Sequence, residues 1–277
     1  MGFGKGFNET QIGFKHGFRF LNNAVASIFN PAIDVATADQ VAWWRDIHTT
    51  TTNSMGVNPW DDIWVGQDLT NGTVASRPIV VDPSALFGGF PAYQFDGIND
   101  GLVAPTGQQA AYRPLHDFTG AIFWAVLRYT GSATNQTLFQ TAAANGTATG
   151  SHCQWNGTTE AIRWLITDGV NPPVVDITTP SGTWPINTVN CIVVATDISA
   201  SNQYEIYIKT AGNAFVLRAA GTITETPSAT DPQNRIIFGR TLLGASFATM
   251  TMAESGIVKN PNAYKTGLLA YLANRYP

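Results

Sequence analysis

Short runs of β-forming residues recur about every 10–15 residues beyond about residue 78, and clusters of Gly, Pro, Asn, Asp and Ser separate them. The run GAIFWAVLRY at 120–129 is almost continuously apolar, which is typical of a strand buried on both faces. The run YEIYIKT at 204–210 alternates instead, so Tyr204, Ile206 and Ile208 should share one face. Because no helical segment intervenes between these runs, the pattern predicts antiparallel pairing in a sandwich or barrel.

Two segments depart from this β pattern. Apolar residues spaced three to four apart between 38 and 45 predict a short helix or turn. The last segment, NPNAYKTGLLAYLANRYP, predicts a helix, since Asn260 suits an N-cap and Pro261 suits the first helical position. Leu268 and Leu272 would lie on one face of this helix, and we expect that face to pack across the sandwich.

The N-terminal segment is rich in Gly-Phe pairs and reads GFGKGFNETQIGFKHGF at 2–18. Polar residues interrupt every apolar run, so the apolar core of about 7–15 residues that a signal peptide needs is missing. A glycine-rich chain whose phenylalanines need burial predicts an arm that binds a partner surface. The proposed partner-binding residues are Phe3, Phe7, Phe14, Phe18 and Phe20. The alternative is an arm that folds back onto its own sandwich.

The expected domain division is therefore an anchoring arm at 1–29 and one β-sandwich at 30–277. Fifteen Lys and Arg residues are scattered along the chain and the net charge is −4, which disfavours nucleic acid as a partner. No segment approaches the roughly 20 apolar residues that span a bilayer. The two cysteines, Cys153 and Cys191, lack a metal-site spacing, and two free buried thiols are favoured over a disulfide.

Four segments resemble concanavalin A-like, laminin-G-like jelly-roll domains of the kind found in tailed-phage virion proteins. In chain order they are PWDDIWVGQDLTNGTVASRP, QFDGINDGLVAP, FTGAIFWAVLRYTGSATNQTLFQ and AESGIVKNPNAYKTGLLAYLANRYP. The resemblance implies two curved antiparallel sheets of about six or seven strands each. One stretch departs from the family pattern, because WVGQ at 64–67 replaces its usual Ser-Gly-x-Gly-Asn stretch.

Catalysis is not expected. Hydrolase relatives on this fold carry Glu-x-Asp-x-x-Glu on one strand, and none of the five glutamates of this chain has that spacing. No G-x-S-x-G motif is present, and the four histidines lie in no recognisable triad motif. Since His152 and Cys153 are adjacent, a strand would point them to opposite faces. The protein is therefore predicted to be non-enzymatic.

Two sets of residues are candidates for ligand contact. Trp155 and Trp184 lie in loop-like settings beside polar residues and could contact carbohydrate, although packing in the core is the favoured alternative. Asp96, Asn99 and Asp100 supply oxygens suited to Ca²⁺, but capping of a turn accounts for them better. No cofactor and no metal are expected.

Only 12% of the residues are charged, and Thr-, Asn- and Gly-rich surfaces of this kind are common on rigid extracellular or virion β-proteins. With the resemblance, this composition predicts a virion structural protein of the decoration, head, neck or tail class. Its arm would bind other virion proteins, and the chain would form a homo-oligomer, a trimer by analogy. The alternative is a module that binds carbohydrate or a host receptor such as a surface polysaccharide; a glycoside hydrolase ranks third. The expected location is the virion, after synthesis in the host cytoplasm.

Overall fold

The computed structural model describes residues 29–45, 60–81, 84–131, 135–142, 148–169, 173–241 and 246–277. Two antiparallel sheets, of eight and six strands, face each other as a sandwich. The strands are β1 (Gln40–Trp44), β2 (Ile79–Val81), β3 (Ala92–Asp96), β4 (Leu102–Val103), β5 (Ala121–Tyr129), β6 (Asn135–Gln140), β7 (Thr149–Asn156), β8 (Ala161–Asp168), β9 (Val175–Thr178), β10 (Asn190–Thr196), β11 (Tyr204–Thr210), β12 (Val216–Gly221), β13 (Ile237–Phe238) and β14 (Thr249–Lys259). The predicted all-β, two-sheet antiparallel sandwich is confirmed.

The eight-stranded sheet has the order β12-β11-β10-β5-β14-β3-β2, and β1 also pairs with β14. The six-stranded sheet has the order β4-β13-β6-β7-β8-β9. Two helices complete the fold, a single turn α1 (Pro31–Asp34) and the C-terminal α2 (Pro261–Arg275). Short 3-10 segments connect the strands, and the longest is Gln109–Leu115.

Strand β5 lies at the centre of the eight-stranded sheet, as its apolar run predicts. Phe123 and Leu127 face the core between the two sheets, whereas Ile122, Trp124 and Val126 face a second apolar layer. Every residue of the strand except Arg128 is buried. A strand that is buried on both faces has no polar side to alternate with, and this explains its continuous apolar sequence.

Helix α2 covers the second apolar layer. Its buried residues Leu268, Tyr271 and Leu272 pack with the outer face of the eight-stranded sheet, so the predicted helix and its packing are confirmed. Asn260 precedes Pro261 as expected, but its side chain makes no capping hydrogen bond and its backbone is left-handed, with φ 58°. Asn260 alone connects β14 to α2, and its left-handed backbone differs from the extended backbone that an N-cap residue usually has.

Residues 37–39 form a single 3-10 turn and residues 40–44 form strand β1, so the prediction of a short helix or turn is wrong for most of the segment at 38–45. Residues 40–44 pair with the second half of β14, while β3 pairs with its first half. Trp43 and Trp44 are both fully buried, on opposite faces of the sheet. Pairing with a distant strand and burial on two faces outweigh the local helical spacing.

Other sequence predictions concern single residues and the arm. Cys153 and Cys191 are free and buried, as expected, and burial raises the pKa of both thiols. Cys153 lies in the core while His152 lies on the outer face of β7, so the predicted division between faces is confirmed. The arm phenylalanines Phe3, Phe7, Phe14, Phe18 and Phe20 lie outside the described residues. None of the helices in the described ranges combines the length and apolar character that crossing a bilayer requires.

Candidate functional site

The structure buries both tryptophans that the sequence marked as carbohydrate contacts. Trp155 and Trp184 have 0% of their surface exposed. The ring of Trp155 stacks on Tyr129 at 4.7 Å between centroids, and its Nε1 donates to the carbonyl of Trp184 at 3.2 Å. A sugar platform needs an accessible ring face, so neither residue can contact a sugar here; both pack in the core, as the favoured alternative predicts.

The acidic FDGIND turn is held by its own hydrogen bonds. The Oδ1 atom of Asp96 accepts from the backbone amides of Ile98 at 2.8 Å and Asn99 at 3.2 Å, and Asp100 Oδ2 accepts from the amide of Asp96 at 2.8 Å. Burial raises the pKa of Asp100 to about 6. These contacts are the capping of a turn. Over the described ranges, no three His, Cys, Asp or Glu side chains are grouped so as to hold a metal ion.

The loop that contains WVGQ at 64–67 is organised by one carboxylate. Asp62 accepts hydrogen bonds from the backbone amides of four residues at 2.8–3.1 Å, namely Trp43, Trp64, Val65 and Gln67. Its relative exposure is 9%. A carboxylate that satisfies four amides fixes this loop onto β1, so Asp62 has a structural role here.

A polar cavity lies at one end of the eight-stranded sheet. We call it the rim pocket; its volume is about 570 Å³. It is lined by Asp39, Ala110, Arg113, Pro114, Asp117, Thr119, Gly120, Asp197, Ser199, Lys259, Asn260, Pro261 and Asn262. None of these described lining residues is a glutamate or an aromatic residue. A cavity of this size can hold a small ligand, and its polar lining suits a ligand rich in hydrogen-bonding groups.

Three neighbouring strands bring these residues together. Strand β5 begins at the pocket, while β10 and β14 end there, and β10-β5-β14 are adjacent in the sheet. The loop before β5 carries Asp117 and Thr119, and the loop after β10 carries Asp197 and Ser199. Helix α2 begins directly beyond β14. Loops at one end of a rigid sandwich are a common location for binding residues.

Two of the pocket carboxylates are fixed by the same local motif. In Asp117-Phe118-Thr119, Oδ1 of the aspartate accepts from the amide of Thr119 at 2.9 Å and from its hydroxyl at 2.7 Å. In Asp197-Ile198-Ser199, the corresponding distances to Ser199 are 2.9 Å and 2.6 Å. The carboxylates are therefore held in place before any ligand arrives, and a carboxylate has about four lone-pair sites, so acceptor capacity remains.

Helix α2 supplies further hydrogen bonds to the pocket aspartates. Asp39 Oδ2 accepts from the hydroxyl of Tyr264 at 2.8 Å. Oδ2 of Asp197 accepts from the side-chain amide of Asn262, Nδ2, at 2.9 Å, and this bond ties the loop after β10 to the first turn of α2. An acidic group at a helix N-terminus is favourable, because it faces the positive end of the helix dipole. Lys259 is exposed at the end of β14.

Two of the four non-glycine residues with left-handed backbone in the described ranges lie beside the rim pocket. Phe118, which is fully buried, has φ 57°, and Asn260 has φ 58°. Left-handed backbone at a residue with a bulky side chain costs about 1–3 kcal/mol and is found preferentially at functional sites. The Phe118 ring packs in the core, and its carbonyl accepts from the amide of Ile198 at 2.9 Å. These contacts join the two aspartate loops.

The pocket was missed at the sequence level because its residues come from four separate stretches between Asp39 and Asn262. One weak signal was present. The pattern Asp-x-Thr or Asp-x-Ser occurs five times in the sequence, and two of its occurrences, at 117–119 and 197–199, border strands in the centre of the sheet, so the pattern by itself does not single out the pocket. Such patterns form turns in which the aspartate caps backbone amides.

Comparisons with known proteins identify the fold alone. No protein-family model matches the chain, and no curated protein matches it. Among solved structures, Trypanosoma rangeli sialidase is 14% identical with TM-score 0.56, and the match covers 87% of this chain and 34% of that chain. The binding domain of botulinum neurotoxin DC in complex with SialylT is 10% identical with TM-score 0.53, covering 84% and 51% respectively. The chain thus spans about a third of the sialidase and about half of the neurotoxin domain.

Proposed function

We propose that the protein is a non-catalytic carbohydrate-binding β-sandwich and that the rim pocket holds the sugar. The observation that carries the proposal is the pocket itself: a cavity of about 570 Å³ at the loop end of the sheet, with carboxylates fixed by backbone amides and hydroxyls. Fixed acceptors with remaining lone pairs are suited to the hydroxyl groups of a sugar, because little ordering is required on binding.

Two of the solved structures come from proteins that bind glycans. Trypanosoma rangeli sialidase is known in complex with sialic acid, and entry of botulinum neurotoxin type C into cells depends on two ganglioside molecules. Both share the sandwich fold with this chain at 9–14% identity. A shared fold does not imply a shared binding site, so the proposal rests on the rim pocket. The structural similarity adds only that this fold occurs in proteins that bind glycans.

The test is binding of the full chain to a glycan array, followed by titration of the glycans that bind. Asp197→Ala removes a carboxylate of the pocket, and we expect at least a tenfold loss of affinity, the equivalent of about 1.4 kcal/mol. Asp176→Ala is the matched control, since Asp176 lies on β9 of the other sheet and is 41% exposed. Absence of binding to every glycan, or equal losses in both variants, would contradict the proposal.

A second candidate function is favoured by the Gly-Phe pairs at 2–18. Here the protein is a structural component of a phage particle, the N-terminal segment anchors it to other virion proteins, and the sandwich is displayed as a homo-oligomer. The two functions are compatible, since a particle-bound sandwich could carry the glycan site. Repeated phenylalanines on a glycine-rich segment need a surface that buries them.

Co-sedimentation with phage particles tests this second function. The full chain and a chain without residues 1–25 are expressed in cells that assemble the particles, and light scattering of the purified chains measures the oligomeric state. We expect the full chain to co-sediment and the shortened chain to keep its β-sheet circular dichroism but remain unbound. Equal co-sedimentation of both chains would refute anchoring by this segment, and loss of folding would favour an arm that packs on its own sandwich.

A further inference from the structure

The charged side chains around the rim pocket are unequal in number. Three aspartates line it, Asp39, Asp117 and Asp197, against the two cations Arg113 and Lys259. A fourth carboxylate, Asp231, lies 3.7 Å from Arg113. The pocket and its immediate surroundings therefore carry more negative than positive charge, in a chain whose net charge is also negative.

Arg113 is already engaged by protein acceptors. Its Nε lies 3.3 Å from Oδ2 of Asp117, and its Nη1 lies 3.7 Å from Asp231 and 3.4 Å from the carbonyl of Ala229. An incoming anion would have to compete with two carboxylates for this guanidinium. Nearby Lys265 is likewise paired, with Glu205. Carboxylates of the protein would therefore compete with an anionic ligand for both Arg113 and Lys265.

Asp39 and Asp197 are satisfied by uncharged donors. Asp39 accepts from the Tyr264 hydroxyl, and Asp197 accepts from Ser199 and Asn262. Within the described part of the chain, no Lys or Arg side chain forms an ion pair with either carboxylate. The exposed Lys259 is the one described lining cation with no ion pair, so the lining as a whole keeps an excess of one negative charge, three aspartates against two cations.

From this imbalance we propose that the rim pocket selects uncharged, hydroxyl-rich sugars, and that Asp39 and Asp197 exclude glycans that carry a carboxylate or sulfate. The inference rests on the proposed carbohydrate binding and names the ligand class of that same site. One like charge about 4 Å from either carboxylate weakens binding about fivefold in water. The discrimination is electrostatic, so it is larger at low salt, where the Debye length is about 30 Å at 0.01 M against about 8 Å at 0.15 M.

The experiment uses pairs of oligosaccharides that differ only in a terminal sialic or uronic acid. The affinity ratio of the neutral to the acidic member is measured for the full chain at 0.01 M and 0.15 M salt. Asp39→Asn removes one charge while its amide oxygen can still accept from the Tyr264 hydroxyl. Asp176→Asn on β9 is the control, because it removes the same charge in the other sheet.

We expect the neutral sugar to bind at least about fivefold more tightly than the acidic sugar at low salt, and we expect this affinity ratio to fall at 0.15 M salt. Asp39→Asn should lower the affinity ratio severalfold, whereas the control Asp176→Asn should leave it unchanged. Equal binding of both sugars, tighter binding of the acidic sugar, or a ratio that neither salt nor Asp39→Asn alters would overturn the charge selection. These outcomes would leave the proposed binding of glycans to the rim pocket intact. If neither member of any pair binds, the proposed function fails and the selection fails with it.

Discussion

Glu254 is a carboxylate enclosed between the eight-stranded sheet and α2, with 0% of its surface exposed. Its Oε1 accepts from the indole nitrogens of Trp43 at 2.9 Å and Trp124 at 3.3 Å. Its Oε2 accepts from the hydroxyls of Tyr271 at 3.2 Å and Tyr276 at 2.9 Å. Burial raises the pKa of Glu254, and the nearby guanidinium of Arg275, at 3.2 Å, opposes that rise. Five donors converging on an acceptor-only group favour an ionised carboxylate that ties the helix to the sheet.

Glu254→Gln is expected to lower the free energy of unfolding by about 3 kcal/mol, because it removes the charge from a fully buried carboxylate that accepts four hydrogen bonds and faces the partly buried guanidinium of Arg275. The measurement is urea denaturation at pH 7.5. Asp176→Asn makes the same chemical change in the ion pair with Arg163, whose side chains are 36% and 41% exposed, and should cost at most about 1 kcal/mol. Equal costs in the two variants would mean that Glu254 holds no net charge in the folded protein.

At the scale of the elements, the pairing of β5 with β14 determines how closely the second apolar layer packs. Gly256 of β14 lies opposite Trp124 of β5, and a Cβ on Gly256 would overlap the ring of Trp124. The absence of a side chain lets the indole lie against the neighbouring backbone, where its nitrogen reaches Glu254. The glycine is therefore required by close approach rather than by backbone dihedral angles.

Gly256→Ala is expected to destabilise the protein by about 1–3 kcal/mol, because the Trp124 ring must move out of a well-packed layer. Urea denaturation followed by tryptophan fluorescence measures the cost and reports the displaced ring. Gly72→Ala is the control, since nothing lies within 4 Å of a Cβ at that position, and it should change stability by less than about 0.5 kcal/mol. A Gly256→Ala variant as stable as the control would show that the two strands can separate without cost.

At the scale of the whole molecule, the outer face of the six-stranded sheet carries buried polar groups. Thr137, Gln140, His152 and Gln154 project from β6 and β7 away from the core, yet each is at most 6% exposed. His152 Nε2 lies 3.2 Å from the Thr137 hydroxyl. Burial lowers the pKa of His152 to about 4, and Arg163 contributes in the same direction. The folded protein therefore holds this histidine neutral at pH values where an unfolded chain protonates it.

Acid is expected to destabilise the molecule through His152. Between pH 6.5 and about 4 the unfolded state binds a proton that the folded state does not, so the free energy of unfolding falls as the pH falls through this window and levels off below it. The full effect is about 3 kcal/mol. His116, whose pKa burial also lowers, adds a slope of the same sign. Urea denaturation of the wild type and His152→Gln at several pH values should give a shallower slope for the variant, and parallel curves would be inconsistent with a neutral buried His152.

Several elements were predictable from the sequence because their signal is local. The continuous apolar run of β5, the alternation in β11 and the Asn-Pro start of α2 each depend on neighbours within a few residues. In β11, Ile206 and Ile208 face the core between the sheets as the alternation predicts. Hydrophobic periodicity reports which side of an element is buried, and this is enough to predict a sandwich of antiparallel strands with a C-terminal helix.

The amino-acid sequence by itself determined the fold class, the central strand and the C-terminal helix, and it favoured two free buried thiols over the disulfide that it left open. Only the tertiary structure decided that 40–44 is a strand, that Trp155 and Trp184 face the core, and that Asp39, Asp117 and Asp197 meet at one cavity. The physical reason is the range of the interactions. Strand formation depends on side chains a few residues apart, whereas burial of a loop tryptophan and convergence of distant aspartates depend on which strands become neighbours across the sheet.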